Sequence, residues 1–156
     1  VAEASQHEAS LIYIIGRVNQ GVRRQMQAAL AQWGLSVQEF TTLSVLSARP
    51  GLSNAQLARR ALVTPQSMIE ILARLESRGL VEREVDPAHK RILRAQLTKS
   101  GIRLTAEAEP EIDAIQDRML ISLSASERRV VTRSMRTAME NLSDSHLQAR
   151  VQKHGA

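Results

Sequence analysis

Ser53-Asn54-Ala55-Gln56-Leu57-Ala58-Arg59-Arg60, followed after a short break by Thr64-Pro65-Gln66-Ser67-Met68-Ile69-Glu70-Ile71-Leu72-Ala73-Arg74-Leu75-Glu76-Ser77-Arg78-Gly79-Leu80-Val81, decides the fold of this chain. Ser53 is placed to cap a short helix that turns Leu57 and Ala58 inward. Thr64 caps the next helix, and Pro65 takes its first position, where a missing N–H costs nothing. Met68, Ile71, Leu72 and Leu75 recur at helical spacing, so that face is buried. Gln66, Ser67, Ile69, Glu70, Ala73 and Arg74 must then face outward. Gly79 stops the helix in the left-handed conformation. Leu80–Val85 and Ile92–Leu97 read as paired strands, joined by Asp86-Pro87-Ala88-His89-Lys90-Arg91, a loop whose far end is basic. Two capped helices, a tight turn and a hairpin make a winged helix-turn-helix.

Outward from that core the chain is helical on both sides. From about His7 to Gln32, Leu11, Ile14, Ile15, Val18, Val22, Met26, Ala29 and Leu30 form one face of a long helix, and Ile12 adds apolar surface off that stripe. A chain of 156 residues offers such a helix too little partner surface, which a second copy would supply. Gly34 ends it. Ser36 and Glu39 form a capping box for the next helix, whose inward face is Phe40, Leu43 and Leu46, and Pro50-Gly51 stops it. Thr98 caps a long helix running through Ile102, Leu104, Ala108, Ile112, Ile115, Met119 and Leu123. Pro110 inside it predicts a kink there or a break near Glu109. Ser124 and Glu127 make another capping box, for a last helix with Val131, Met135, Ala138 and Leu142 as its stripe, and the tail from Lys153 is expected to fray. The expected organisation is mainly α: an N-terminal dimerisation helix over 1–34, a winged helix-turn-helix over 35–98, and C-terminal dimerisation helices over 99–156, in one compact subunit.

Composition narrows the function. The chain has one Trp, one Tyr and one Phe, so the core is aliphatic and no aromatic platform exists for stacking single-stranded bases. No apolar run reaches the roughly 18 residues that span a bilayer, and no signal peptide opens the sequence, so the cytoplasm is the expected location, away from membranes. There is no cysteine, which excludes disulfides, thiolate metal sites and a cysteine redox switch. Net charge is +5, carried by 18 Arg and 3 Lys. Residues 53–98 hold eight basic and five acidic side chains, a net +3, against +1 for each flank, so the excess lies where phosphates would need it.

A helix-turn-helix braces its first helix across the DNA backbone and lays the second along base edges in the major groove. Gln66 can pair with adenine, Ser67 can donate or accept, Ile69 or the Pro65 ring can touch a thymine methyl, and Glu70 can accept from cytosine N4. Arg60 and Arg74 suit phosphates, and Ser53 and Asn54, at a helix start, would offer N–H groups to a phosphate oxygen. His89, Lys90 and Arg91 complete the candidate contacts from the hairpin tip. Glu70 cuts the other way, because an unpaired carboxylate is repelled by phosphates. Two readings stay open: it reads a cytosine, or Arg74 at i+4 neutralises it, the second being preferred. Glu76 is expected to make an intramolecular contact.

These residues resemble the MarR family (multiple antibiotic resistance regulators). The matching pieces are Leu35-Ser36-Val37-Gln38-Glu39-Phe40, Leu75-Glu76-Ser77-Arg78-Gly79-Leu80-Val81, and Arg91 followed by Leu97-Thr98, with long helices on either side. The resemblance implies a homodimer clamped by its first and last helices. It implies binding to a near-palindromic site on double-stranded DNA and release by a small ligand, hence a repressor. It also implies a wing reading Asp-x-Arg, whose arginine enters the minor groove. Arg91 matches that arginine, but His89 stands where the aspartate is expected. Either Asp86 substitutes from the loop's other end, or Arg91 is held more loosely and His89 itself meets phosphate.

Other chemistries find little footing. His7, His89, His146 and His154 are scattered without ligand spacing, so no metal is expected, and no cofactor. Glu107, Glu109, Glu111, Asp113 and Asp117 alternate with apolar residues as a solvated helix face does, and no phosphate loop or nucleophile–base pair exists, so no enzyme is expected. Tyr13, Arg17, Trp33 and Phe40, in or beside the first two helices, are candidates for binding a small aromatic or anionic effector. Competing with that is a purely structural account, in which Phe40 is core and Trp33 covers a helix end. Two further readings stay open: a winged-helix protein-interaction module, which Glu70 favours and the basic wing tip opposes, and a constitutive DNA-binding protein without an effector.

Overall fold

The fold opens on a 20-residue helix, α1 (Leu11–Leu30), which a short 3-10 turn (Ala31–Trp33) carries to Gly34, whose φ of +59° reverses the chain. The structure, a computed structural model, describes residues Ser10–Leu142; the expected helix start at His7, the frayed tail from Lys153, and His146 and His154 lie outside them. Ser36 and Glu39 close the expected capping box on α2 (Val37–Ala48): Ser36 Oγ accepts from the Glu39 N–H at 3.1 Å, and Glu39 Oε2 accepts from the Ser36 N–H at 2.9 Å. After the Pro50-Gly51 turn come β1 (Leu52–Ser53), α3 (Asn54–Ala61) and α4 (Pro65–Ser77). The hairpin β2 (Val81–Val85) and β3 (Leu93–Leu97) follows, then α5 (Lys99–Met119) and α6 (Ala125–Asn141).

The hairpin has the expected partner strands, and a third, β1, joins them in the antiparallel order β1-β3-β2. Its register is Leu52 opposite Ala95 and Ser53 opposite Arg94, while β2 pairs Arg83 with Ala95 and Glu84 with Arg94. Two residues carry no periodicity, so β1 had no signal of its own; β3 creates it by offering an open edge. The turn between α3 and α4 is made by Leu62 in the left-handed region, φ +56°, a position that glycine more often fills.

The chain divides into two units, residues 1–115 and 116–156. The core of the first gathers Leu30, Leu43, Leu46, Leu57, Met68, Leu72 and Leu75, all essentially sealed from water, with Phe40, Ile71 and Leu80 around them. The buried α4 face is therefore the one its spacing predicts. Along α1 only Leu30 is fully buried, and Leu11, Ile14, Ile15 and Val18 stand 43–64% exposed. In the second unit α6 buries none of its residues, its Ser124/Glu127 capping box is formed, and Val131, Met135 and Leu142 are exposed.

The helix α5 runs without a break from Lys99 to Met119 with Pro110 inside it, so the expected break near Glu109 does not occur, and the helix ends short of the expected Leu123. Pro110 and Ala106, the residue whose carbonyl the proline leaves without an N–H, both lie on the exposed side. Water can satisfy that carbonyl, so the lost hydrogen bond does not end the helix.

Candidate DNA interface

Thr64 Oγ1 accepts from the Ser67 N–H at 3.1 Å, and Pro65 follows as the first residue of α4, so the start of the helix is held as predicted. At 3.6 residues per turn, successive side chains are rotated by about 100°. With Met68, Ile71, Leu72 and Leu75 buried, the ridge directly opposite the core is Gln66, Glu70 and Ala73, all exposed. Ile69 flanks that ridge on one side, 47% exposed, with Ser67 and Arg74 on the other. Ser67 Oγ accepts the Thr64 hydroxyl at 2.9 Å and keeps its own hydrogen to donate.

Two sets of bonds suspend this helix. At its start, Asn54 Nδ2 donates to the Pro65 carbonyl at 3.0 Å, tying α3 to α4, while Asn54 Oδ1 is buried with no partner. Toward its end, Arg74 Nε donates to Glu39 Oε1 at 2.9 Å, and Arg78 donates to the carbonyls of Gly34 at 2.9 Å and Trp33 at 2.7 Å. Two arginines thus hang the C-terminal half of α4 from the corner at residues 33–39. This corrects the preferred reading of Arg74, which neutralises Glu39 and not Glu70. Glu39 is a carboxylate with 8% of its side chain exposed, and a buried charge needs a counter-charge far more than the water-screened Glu70 does.

Burial pushes the Glu39 carboxyl upward, but the Ser36 N–H, the Arg74 guanidinium and the Ser36 hydroxyl outweigh it and hold it below the ordinary 4.5. The ionised form is therefore favoured by the fold above that value, and its contribution is lost as pH falls through the depressed value. Glu39→Gln is expected to lower the melting temperature at neutral pH and to converge on the wild type in thermal scans well below pH 4.5. A gap that persists in acid would show that Glu39 acts by shape alone.

In the wing, Asp86 is buried and accepts from the Ala88 N–H at 2.8 Å, the His89 N–H at 3.3 Å and Arg94 Nε at 2.6 Å. The Ala88 N–H, with Arg94 beyond it, holds this carboxyl below its ordinary value against the opposing effect of burial. Arg94 also donates to the Gly51 carbonyl at 2.9 Å, which seats the wing on the turn before β1. Asp86 therefore organises the loop through Arg94 and does not brace Arg91. His89, Lys90 and Arg91 are exposed, and their side chains have no hydrogen-bond or ion-pair partner among the described residues. Arg60, on the last turn of α3, is likewise exposed and unpaired.

The wing and the helices meet in a groove of about 420 Å³ lined by Ser53, Asn54, Ile69, Arg83, Arg91 and Leu93, among others. Arg83 is engaged by Glu76, the intramolecular contact expected of that glutamate, which leaves Arg91 as the unpaired cation of the groove. The structure thus brings Ser53, Asn54, Ile69 and Arg91 together beside the α4 ridge. Ser53's backbone N–H, expected to offer itself to a phosphate, already donates to Gln56 Oε1 at 2.9 Å within the α3 capping box. Glu39, Arg78, Asp86 and Arg94 are the positioning residues that the sequence left unassigned or assigned elsewhere; the arginine bonds that give them this role span 8 to 45 residues, beyond any local pattern.

The four effector candidates do not converge within one chain. Tyr13 and Arg17 meet one another on α1, Arg17 donating to the Tyr13 hydroxyl at 3.1 Å with its guanidinium 5.9 Å from the ring centre. Phe40 belongs to the core and Trp33, partly buried, packs against that core. A helical rise of about 1.5 Å per residue separates Arg17 from the end of α1 by roughly 20 Å. Among the described residues no group of three or more His, Asp or Glu is placed to hold a metal, and no helix is long and apolar enough to cross a membrane.

A family model described as MarR family matches residues 33–92, which span α2 through the wing loop. The chain is 41% identical over 128 residues to the HTH-type transcriptional repressor Rv2887 of Mycobacterium tuberculosis, covering 82% of this chain and 92% of that one. The solved structure of Rv2887 in complex with DNA superposes with a TM-score of 0.70 at 38% identity, over 84% of this chain and 98% of the other. Rv2887 in complex with salicylic acid matches with a TM-score of 0.68 at 39% identity, over 85% and 98%.

Proposed function

From the premise that this chain belongs to the MarR family of transcriptional regulators, we infer that it is a sequence-specific repressor of double-stranded DNA, released from a near-palindromic operator by a small ligand. The observation that carries this reading is the pairing of a suspended α4, its Gln66–Glu70–Ala73 ridge turned outward, with an unpaired cationic wing tip beside the same groove. Gln66, Ser67, Ile69 and Glu70 read base edges, with Pro65 at the groove entrance. Arg60, His89 and Lys90 meet phosphates, Arg91 enters the minor groove, and Ser53 and Asn54 line the approach. Arg74 serves mainly to hold α4 in place. No enzymatic step, metal or cofactor is assigned to the protein, and its place is with the DNA in the cytoplasm.

The reading requires two copies. The exposed apolar side chains of α1, and separately those of α6, are the surfaces that a second subunit would cover, so residues 1–34 and 99–156 serve dimerisation and 35–98 serve DNA. Two-fold symmetry then sets the recognition helices about 34 Å apart, one helical turn of DNA. Rv2887 has been solved with salicylic acid, and a small aromatic acid is the effector class proposed here. It acts through the corner at residues 33–39: Trp33, Gly34 and Glu39 hold both arginine braces of α4, so a ligand that shifts this corner shifts the reading helix.

Arg91→Ala is expected to weaken binding to every sequence alike and to reduce the slope of log affinity against log salt by about 1. Titrations of the full chain with operator and scrambled duplexes at several salt concentrations would read both effects. Unchanged affinity and slope would remove the wing from the interface.

A further inference from the structure

The geometry points to Glu70 as a specificity-determining residue that selects a cytosine in each half-site, by accepting a hydrogen bond from the base's N4 amino group. This rests on the DNA-reading role of α4 and deepens it.

Three observations carry the inference. Glu70 lies on the ridge of α4 directly opposite the buried Met68, Ile71, Leu72 and Leu75, so it projects as far toward a bound groove as any side chain of the helix. Its carboxylate is exposed and has no ion-pair or hydrogen-bond partner among the described residues. The cation best placed to neutralise it, Arg74 at i+4, is committed to the nearly buried Glu39 at 2.9 Å. A naked carboxylate pressed toward a duplex is repelled by every phosphate, and an amino group on a base edge is the major-groove feature that offsets this.

Chemistry then narrows the base. A carboxylate only accepts. Guanine shows N7 and O6 and thymine shows O4, all acceptors. Adenine offers its N6 amino group beside the N7 acceptor, which repels a second oxygen and suits an amide such as Gln66. Cytosine alone presents an amino donor with no acceptor on the same base in the major groove. Gln66 and Glu70 are about one turn apart on the same ridge, about 6 Å along the helix, so the cytosine should lie within one or two base pairs of the adenine that Gln66 reads.

The test begins with selection of bound duplexes from a random pool by the full-length wild-type chain, and continues with titrations of wild type, Glu70→Ala and Glu70→Gln against single-base variants of the winning site. The wild type is expected to disfavour each non-cytosine variant by about tenfold or more at one position per half-site. Glu70→Ala loses that discrimination at that position alone, and Glu70→Gln moves the preference there toward adenine. If Glu70→Ala instead binds all variants more tightly by one common factor, Glu70 only repels phosphate and the inference is overturned. It is also overturned if a site is enriched but its cytosine preference survives Glu70→Ala, an outcome that leaves the regulator reading intact. A pool that yields no enriched sequence would overturn the DNA-reading role itself, and this inference with it.

Discussion

Gly101→Ala is expected to cost about 3 kcal/mol of folding stability, a value at the upper end of overpacking penalties and a large share of the roughly 5–15 kcal/mol that holds a domain together. A Cβ at Gly101 would stand 2.0 Å from the Leu80 carbonyl oxygen and 3.0 Å from its carbon. Both are backbone atoms and cannot rotate aside. They also belong to the joint where the wing meets α5. The Leu80 carbonyl accepts from the Thr98 N–H at 3.1 Å, Thr98 Oγ1 donates to the Gly79 carbonyl at 2.7 Å, and the Gly101 N–H donates to Thr98 Oγ1 at 3.1 Å. A methyl group there prises the start of α5 away from the end of α4 and the first wing strand. In thermal denaturation the melting temperature should fall by about 6–12 °C for a chain of this size. A shift under about 2 °C would mean that α5 slides without resistance, and that the joint does not hold the wing.

Ile14→Glu combined with Val18→Glu should leave the subunit folded and yet reduce operator affinity by a factor on the order of 10²–10⁴, because the second half-site is no longer delivered on the same body. Both side chains lie on α1, 46% and 45% exposed, in a stripe with Leu11 and Ile15 that no other described residue seals. Charges placed there meet only water in a lone subunit but would be stripped of it between two. Light scattering should report a monomer, and circular dichroism an unchanged helix content. A variant that stays dimeric and keeps its affinity would place the subunit contact elsewhere.

Much of this architecture is legible locally. Ser36 with Glu39, Thr64 before Pro65, Ser124 with Glu127, and Gly79 each mark a helix end through bonds spanning three or four residues, and the structure forms them where the sequence predicts. The α4 face is equally plain, since periodicity alone selects Met68, Ile71, Leu72 and Leu75. What sequence reasoning missed is settled across the fold. Arg74 has Glu70 one turn away and Glu39 35 residues away, and it takes the distant partner because that carboxylate is buried. Asp86 serves Arg94 across the hairpin, and β1 exists because β3 has an edge to offer. Pro110 does not break α5, because the orphaned carbonyl faces solvent. Tyr13 and Arg17 fall near Trp33 in a list of residues and far from it along a straight helix.

The most direct test of the account is fluorescence anisotropy of the full chain with DNA from upstream of its own gene and with a scrambled duplex of equal length, at two salt concentrations. A suspended reading helix and a cationic wing predict binding to the native duplex at least about a thousandfold tighter than to the scrambled one, with the preference retained at the higher salt. Equal, weak binding to both, falling steeply as salt is raised, would contradict sequence reading by α4 and reduce the wing and its arginines to a nonspecific basic surface.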